Sequence, residues 1–216
     1  QYLHTAISED RFELYYQPVY SIAEKRFITL EALSRLHHPE LGWITPDVFI
    51  QIAEKNHMIE QITDLQFRRI CRFMKENCAA LSGLWNVKMN LSSLDLMGRL
   101  QQSFYPHHDW IQFEITETVA TEYNGSLKKV ADDFTAAGIR LCLDDFGSGY
   151  ANLNTVMRLP FSSIKLDRSL LFDICSDEKR ALFYQSVVET FRRMNYRIVA
   201  EGVETEAEMR LLSSWN

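Results

Sequence analysis

The sequence predicts an α/β fold, more specifically a (β/α) barrel, and two observations carry the prediction. Short apolar runs with a period of two alternate with longer segments of helical period, the order expected of successive βα units. Six of the apolar runs also carry a polar residue on one face near the C-terminal end. Such a row is hard to bury in an open sheet covered by helices on both faces. It suits a closed barrel, whose strands turn apolar residues outward and polar residues toward one mouth.

The strand-like runs are FELYYQPV, FITLEAL, WNVKMNLS, WIQFEIT, IRLCLDD, SSIKLD and YRIVAEG. Between the second and third, TPDVFIQIAEKNHMI opens a helix with Thr45 as N-cap and Pro46 at the first helical position. A second periodic stretch runs on through Ile62, Leu65, Ile70, Phe73 and Met74. SLKKVADDFTAAG reads as a helix capped by Ser126 and closed at Gly138. DEKRALFYQSVVETFRRMN and EAEMRLLSSW complete the helices, and no linker, low-complexity tract or repeat divides residues 1–216.

Composition narrows the function classes. With 216 residues, 46% of them hydrophobic, the chain can bury the core of one domain. The net charge of -6 and the lack of a basic block argue against DNA as a partner. Cys71, Cys78, Cys142 and Cys175 lie scattered in apolar segments without paired metal spacing, so buried, reduced thiols and a cytoplasmic location are expected. No apolar stretch approaches the roughly 20 residues of a membrane span. A chain starting at Gln1 reads as a domain of a larger protein, which could itself be membrane-anchored.

The polar row consists of Glu31, Asn90, Glu114, Asp144, Lys165 and Glu201. Asp145 joins it only if the strand ends at Asp144 and the backbone turns, because successive strand residues point to opposite faces. Glu31, Asn90, Glu114, Asp144 and Asp145 are hard oxygen donors, which suit Mg²⁺ or Mn²⁺ better than zinc. Two such ions about 3.5–4 Å apart activate water and stabilise a leaving oxygen in phosphoester hydrolysis. Lys165 and Glu201 would orient or deprotonate that water, or neutralise charge on the phosphoryl oxygens. His37-His38-Pro39, His57 and His107-His108 lack metal-ligand spacing and read as surface loops, while Ser148 has no evident histidine partner.

Glu31-Ala32-Leu33-Ser34-Arg35 resembles the EALxR motif of the bacterial EAL-domain family of cyclic-di-GMP phosphodiesterases. YYQPV, HPELGWITPDVFIQIAE, MNLS, FEITET, LDDFGSGYANL, LPFSSIKLDRSLL and VAEGVET resemble further family blocks in the same order, from about Phe12 to Glu206. The resemblance implies a modified TIM (β/α)8-type barrel whose first strand runs antiparallel to the others, and hydrolysis of cyclic di-GMP to linear pGpG with two Mg²⁺ or Mn²⁺ ions. By motif position, Glu31, Asn90, Glu114 and Asp144 match the ligands of one ion, and Asp144, Asp145 and Glu201 those of the other. Lys165 matches the catalytic lysine. Gln17, Leu33 and Arg35 match substrate contacts, with Asp167 and Glu204 as further candidates, and Glu117 matches the glutamate that anchors the loop after the aspartate pair. The resemblance also implies a homodimer and fused or regulatory signalling domains. Family members continue past EAEMRLLSSW into a final strand, whereas this sequence stops at Asn216, so a barrel lacking its last strand is expected. A non-catalytic cyclic-di-GMP receptor and a barrel hydrolase of another phosphoester are the competing readings.

Overall fold

Strict alternation in the second strand sets the pattern of the N-terminal part. Ala32, Ser34 and Leu36 are buried, while Glu31, Leu33 and Arg35 on the opposite face stay half-buried. The computed structural model describes residues 2–91, 110–121, 125–149 and 153–215, which form two compact units.

In the first unit, β1 (Phe12–Ser21) runs antiparallel to β2 (Arg26–His38), from Phe12 opposite Leu36 to Ser21 opposite Arg26. A three-residue β3 (Gly42–Ile44) folds back on the end of β2, and β4 (Asn86–Leu91) lies parallel to its beginning. Helices α1 (Tyr2–Ser8), α2 (Pro46–Lys55) and α3 (Ile59–Glu76) accompany the sheet. Leu3 and Ala6 of α1 join Phe12, Leu36, Phe49, Ala53 and Ile62 in one apolar cluster. Arg69 of α3 ties the entry to β1 by pairing with Asp10 at 2.8 Å and donating to the Phe12 carbonyl.

The second unit carries four parallel strands: β5 (Ile111–Thr116), β6 (Arg140–Phe146), β7 (Phe161–Leu166) and β8 (Arg197–Ala200). Helices α4 (Glu117–Thr121), α5 (Gly125–Ala136), α6 (Leu153–Arg158), α7 (Glu178–Arg193) and α8 (Glu206–Ser214) connect or follow them, with a 3-10 turn at Arg168–Leu170. Outward-facing Phe113 meets Phe134 of α5 edge-on at 5.7 Å, and Phe146 meets Phe191 of α7 at 5.0 Å. The Asp177 side chain caps α7, and a Thr205–Glu208 capping box starts α8.

All seven expected strands are present, with the first antiparallel to the second. Several details differ from the expectation. Helix α5 begins at Gly125, which puts Ser126 inside its first turn and not at the cap. His37 and His38 end β2 and do not lie in a loop; β3 extends the pairing to them. Cys142 is buried, but Cys71 is half-buried, and Cys78 and Cys175 are exposed because both lie in turns. None of the four cysteines forms a disulfide. Among the described residues no helix is long and apolar enough to cross a membrane. His107 and His108 lie outside the described residues.

Candidate active site

The inner face of the second unit is built in two tiers. In the lower tier Gln112, Cys142 and Ser163 are buried, and the Gln112 amide donates to the Ser163 hydroxyl at 2.6 Å and the Ser162 hydroxyl at 3.0 Å. These bonds satisfy polar groups that would otherwise be costly to bury. Two residues further along each strand stand Glu114, Asp144 and Lys165. Lys165 is only 2% exposed, and its ammonium lies 3.2 Å from Glu114 Oε2, 3.0 Å from Asp144 Oδ1 and 2.8 Å from Glu201 Oε1. Glu114 is fully buried. Both charged forms tolerate burial because each meets an opposite charge at contact distance.

Asp145 reaches the same cluster by a device different from the expected strand end. Strand β6 continues to Phe146, and its pairing with β7 slips between Leu143 and Phe146, where three steps on β6 match two on β7. The extra residue is a bulge. Asp145 takes a left-handed backbone with φ 56°, and its N–H donates to Asp144 Oδ1 at 3.0 Å. Asp is among the few L-residues that adopt this region readily. Carboxylate oxygens of Asp144, Asp145 and Glu201 thereby come within 4.8 Å of one another.

Glu201 follows β8 directly and is held there by its N–H, which donates to the Leu166 carbonyl at 3.1 Å. The next residue, Gly202, has φ 70°, and a Cβ on it would stand 2.4 Å from Arg168 Cβ. Three carboxylates around the Lys165 ammonium, with Asp145 beside them, leave the cluster negative. Its hard oxygen donors fit Mg²⁺ or Mn²⁺, and the arrangement of Asp144, Asp145 and Glu201 matches such a role.

In the first unit Gln17 stands opposite Glu31, Leu33 opposite Tyr15 and Arg35 opposite Glu13, all on one face of the β1–β2 pair. The Asn90 amide of β4 donates to Glu31 Oε1 at 3.3 Å, and buried Lys88 pairs in register with Glu31. The Arg35 guanidinium lies 5.5 Å from the centre of the Tyr15 ring. Tyr15 escaped the sequence reading although its spacing from Gln17 puts it on the same face. Trp43 escaped because β3 itself was not foreseen.

Three further candidates have local duties. Asp167 Oδ1 accepts from the Ser169 N–H at 2.9 Å, capping the 3-10 turn after β7. Glu204 is exposed, and its N–H donates to Glu208 Oε2 at 2.9 Å. Glu117 is buried at the first position of α4, where a helix N-terminus favours negative charge. Residues 150–152 of the loop it is expected to anchor lie outside the described residues.

An antiparallel opening strand, parallel strands thereafter, and a lysine-centred carboxylate cluster at the strand ends define an α/β domain of the TIM-like barrel class with an acidic cluster consistent with metal binding. The EAL domain family matches residues 1–216, and the chain belongs to that family. It is homologous to cyclic-di-GMP phosphodiesterases. It is 33% identical over 98% of its length to MucR of Pseudomonas aeruginosa, a bifunctional diguanylate cyclase/cyclic di-GMP phosphodiesterase, covering 32% of that protein. It is 32% identical over 97% of its length to the cyclic di-GMP phosphodiesterase NbdA of the same organism, covering 28% of it. The chain thus spans about a third of the length of these curated relatives. The structure of the PaMucR phosphodiesterase in complex with c-di-GMP superposes with a TM-score of 0.84, covering 99% of this chain and 90% of that one at 33% identity.

Proposed function

We propose that residues 1–216 act as a phosphodiesterase domain that opens one phosphodiester of cyclic di-GMP to give linear pGpG, using two Mg²⁺ or Mn²⁺ ions. The observation that carries this reading is the Lys165 ammonium within 3.2 Å of three carboxylates, beside the close-set oxygens of Asp144, Asp145 and Glu201. Bound divalent ions would supply an acidified water and charge neutralisation at the phosphate. Asp144, Asp145 and Glu201 would hold one ion. Glu114 and Asp144, together with Glu31 and Asn90, are proposed as ligands of the other.

Lys165 then has two duties. Its ammonium keeps the Glu114, Asp144 and Glu201 carboxylates together, and it donates to phosphoryl oxygens as they gain negative charge. Glu201 accepts a proton from the attacking water. Arg35 presents its planar fork to a substrate phosphate, and Gln17 and Leu33 contact the dinucleotide beside it. Asp167 and Glu204 are proposed as outer contacts, and Glu117 as the anchor of the loop after Asp145. We further propose a homodimer working in the cytoplasm under the control of attached signalling domains.

Incubation with cyclic di-GMP and Mg²⁺ or Mn²⁺, followed by chromatography, tests the assignment. Metal-dependent accumulation of pGpG is expected. Tight binding without product would make the domain a receptor.

A further inference from the structure

One face of the first unit carries an aromatic corner beside Arg35 that no proposed step has used. The Trp43 ring from β3 meets the Tyr15 ring from β1 at 6.1 Å and 70°, spanning β2 between them. His37, paired with Trp43 across β2 and β3, abuts its ring at 5.1 Å and 80°. Despite these contacts Tyr15 remains 48% exposed and Trp43 53% exposed. Large aromatic side chains left this open on a sheet face forgo burial that would stabilise the fold, so their exposure calls for an occupant.

The chemistry around the rings selects that occupant. Two rings near a right angle offer one face for stacking and one edge, a geometry that a flat ring fills. A charged guanidinium 5.5 Å from the Tyr15 centroid is held in place by the ring quadrupole and by donating to the Ser34 carbonyl at 2.9 Å, leaving its other N–H groups for an anion. Planar aromatic surface next to an anion-binding fork is the combination that nucleotides require. The position agrees: Tyr15 is two residues from Gln17 on the same face, and Arg35 is four from Glu31.

Resting on the dinucleotide reading above, we propose that Tyr15 and Trp43 form a base-stacking subsite that receives one purine of the substrate while Arg35 takes an adjoining phosphate. His37 buttresses Trp43. This subsite adds affinity without touching the reacting atoms, so it acts on KM and not on kcat.

The test compares Tyr15→Leu and Trp43→Leu with Tyr15→Phe and Trp43→Phe. Steady-state hydrolysis and Ca²⁺-supported calorimetric binding of cyclic di-GMP are measured, alongside Tm. Loss of one stacking partner is worth about tenfold in affinity. Each leucine variant is therefore expected to raise KM and Kd about tenfold with kcat within about twofold, whereas the phenylalanine variants lose far less. Trp43 fluorescence, isolated as the difference between wild type and Trp43→Phe, is expected to be quenched by cyclic di-GMP and by GMP, but not by ribose 5-phosphate. Leucine variants with wild-type KM and Kd, or equal quenching by ribose 5-phosphate, would overturn the subsite while leaving the phosphodiesterase reading intact. A leucine variant that loses Tm and kcat together assigns the rings to folding and overturns it too. Wild-type protein that neither binds nor cleaves cyclic di-GMP removes both proposals.

Discussion

Replacing Lys165 by methionine keeps the bulk of the side chain and deletes its charge. In the absence of divalent ions, Glu114, Asp144 and Glu201 are then left facing one another, with Glu114 fully buried. Removing one partner from a buried ion pair costs about 3–5 kcal/mol. Because Asp144 and Glu201 retain some access to water, the low end, about 3 kcal/mol, applies here. For a chain of this size that corresponds to a fall in Tm of about 6–12 °C in EDTA. The same deletion makes the cluster more negative, so it should bind cations more tightly than wild type. Thermal unfolding followed by circular dichroism, in EDTA and across a Mn²⁺ titration, reads both effects. The variant is expected to start lower, to gain more Tm from Mn²⁺ than wild type, and to make no pGpG. A loss below about 2 °C in EDTA, or identical Mn²⁺ shifts in the two proteins, would refute the view that Lys165 stands in for cation charge.

Three other perturbations probe neighbouring parts of the site. Glu31→Ala and Asp144→Asn each remove a proposed ligand charge and are expected to slow pGpG formation by at least about 100-fold at saturating Mg²⁺, measured by chromatography. Glu117→Ala should weaken activity at low Mn²⁺ and recover at high Mn²⁺ if Glu117 positions the loop; unchanged activity throughout the titration would dismiss that role. Gly202→Ala puts a Cβ 2.4 Å from Arg168 Cβ at φ 70°, so it should cost more than about 1 kcal/mol of stability and raise the metal concentration for half-maximal activity by moving Glu201.

The period of two made much of this molecule legible. Polar residues two steps after Thr29, Lys88, Gln112, Cys142, Ser163 and Val199 single out Glu31, Asn90, Glu114, Asp144, Lys165 and Glu201 from the sequence alone. The geometry then gathered Glu114, Asp144, Lys165 and Glu201 in one cluster and Glu31 with Asn90 in another contact. What stayed hidden lacked a periodic signature. Helix α1 is a seven-residue element that exists by docking Leu3 and Ala6 onto Phe12 and Leu36, contacts invisible in local sequence. Strand β3 has three residues and no room for alternation. The bulge at Asp145 breaks alternation, which is why the chain there looked like a strand end. The exposure of Cys78 and Cys175 depends on which way each short segment turns after its neighbours have packed.

The left-handed backbone at Asp145 has an evolutionary reach beyond geometry. Glycine and asparagine tolerate the same conformation, so Asp145→Asn would preserve the kink and the fold while erasing one unit of charge. At this position form and charge are separable. If Asp145 holds a cation as proposed, a lineage could trade catalysis for sensing through a single nucleotide change, with no intermediate that folds poorly.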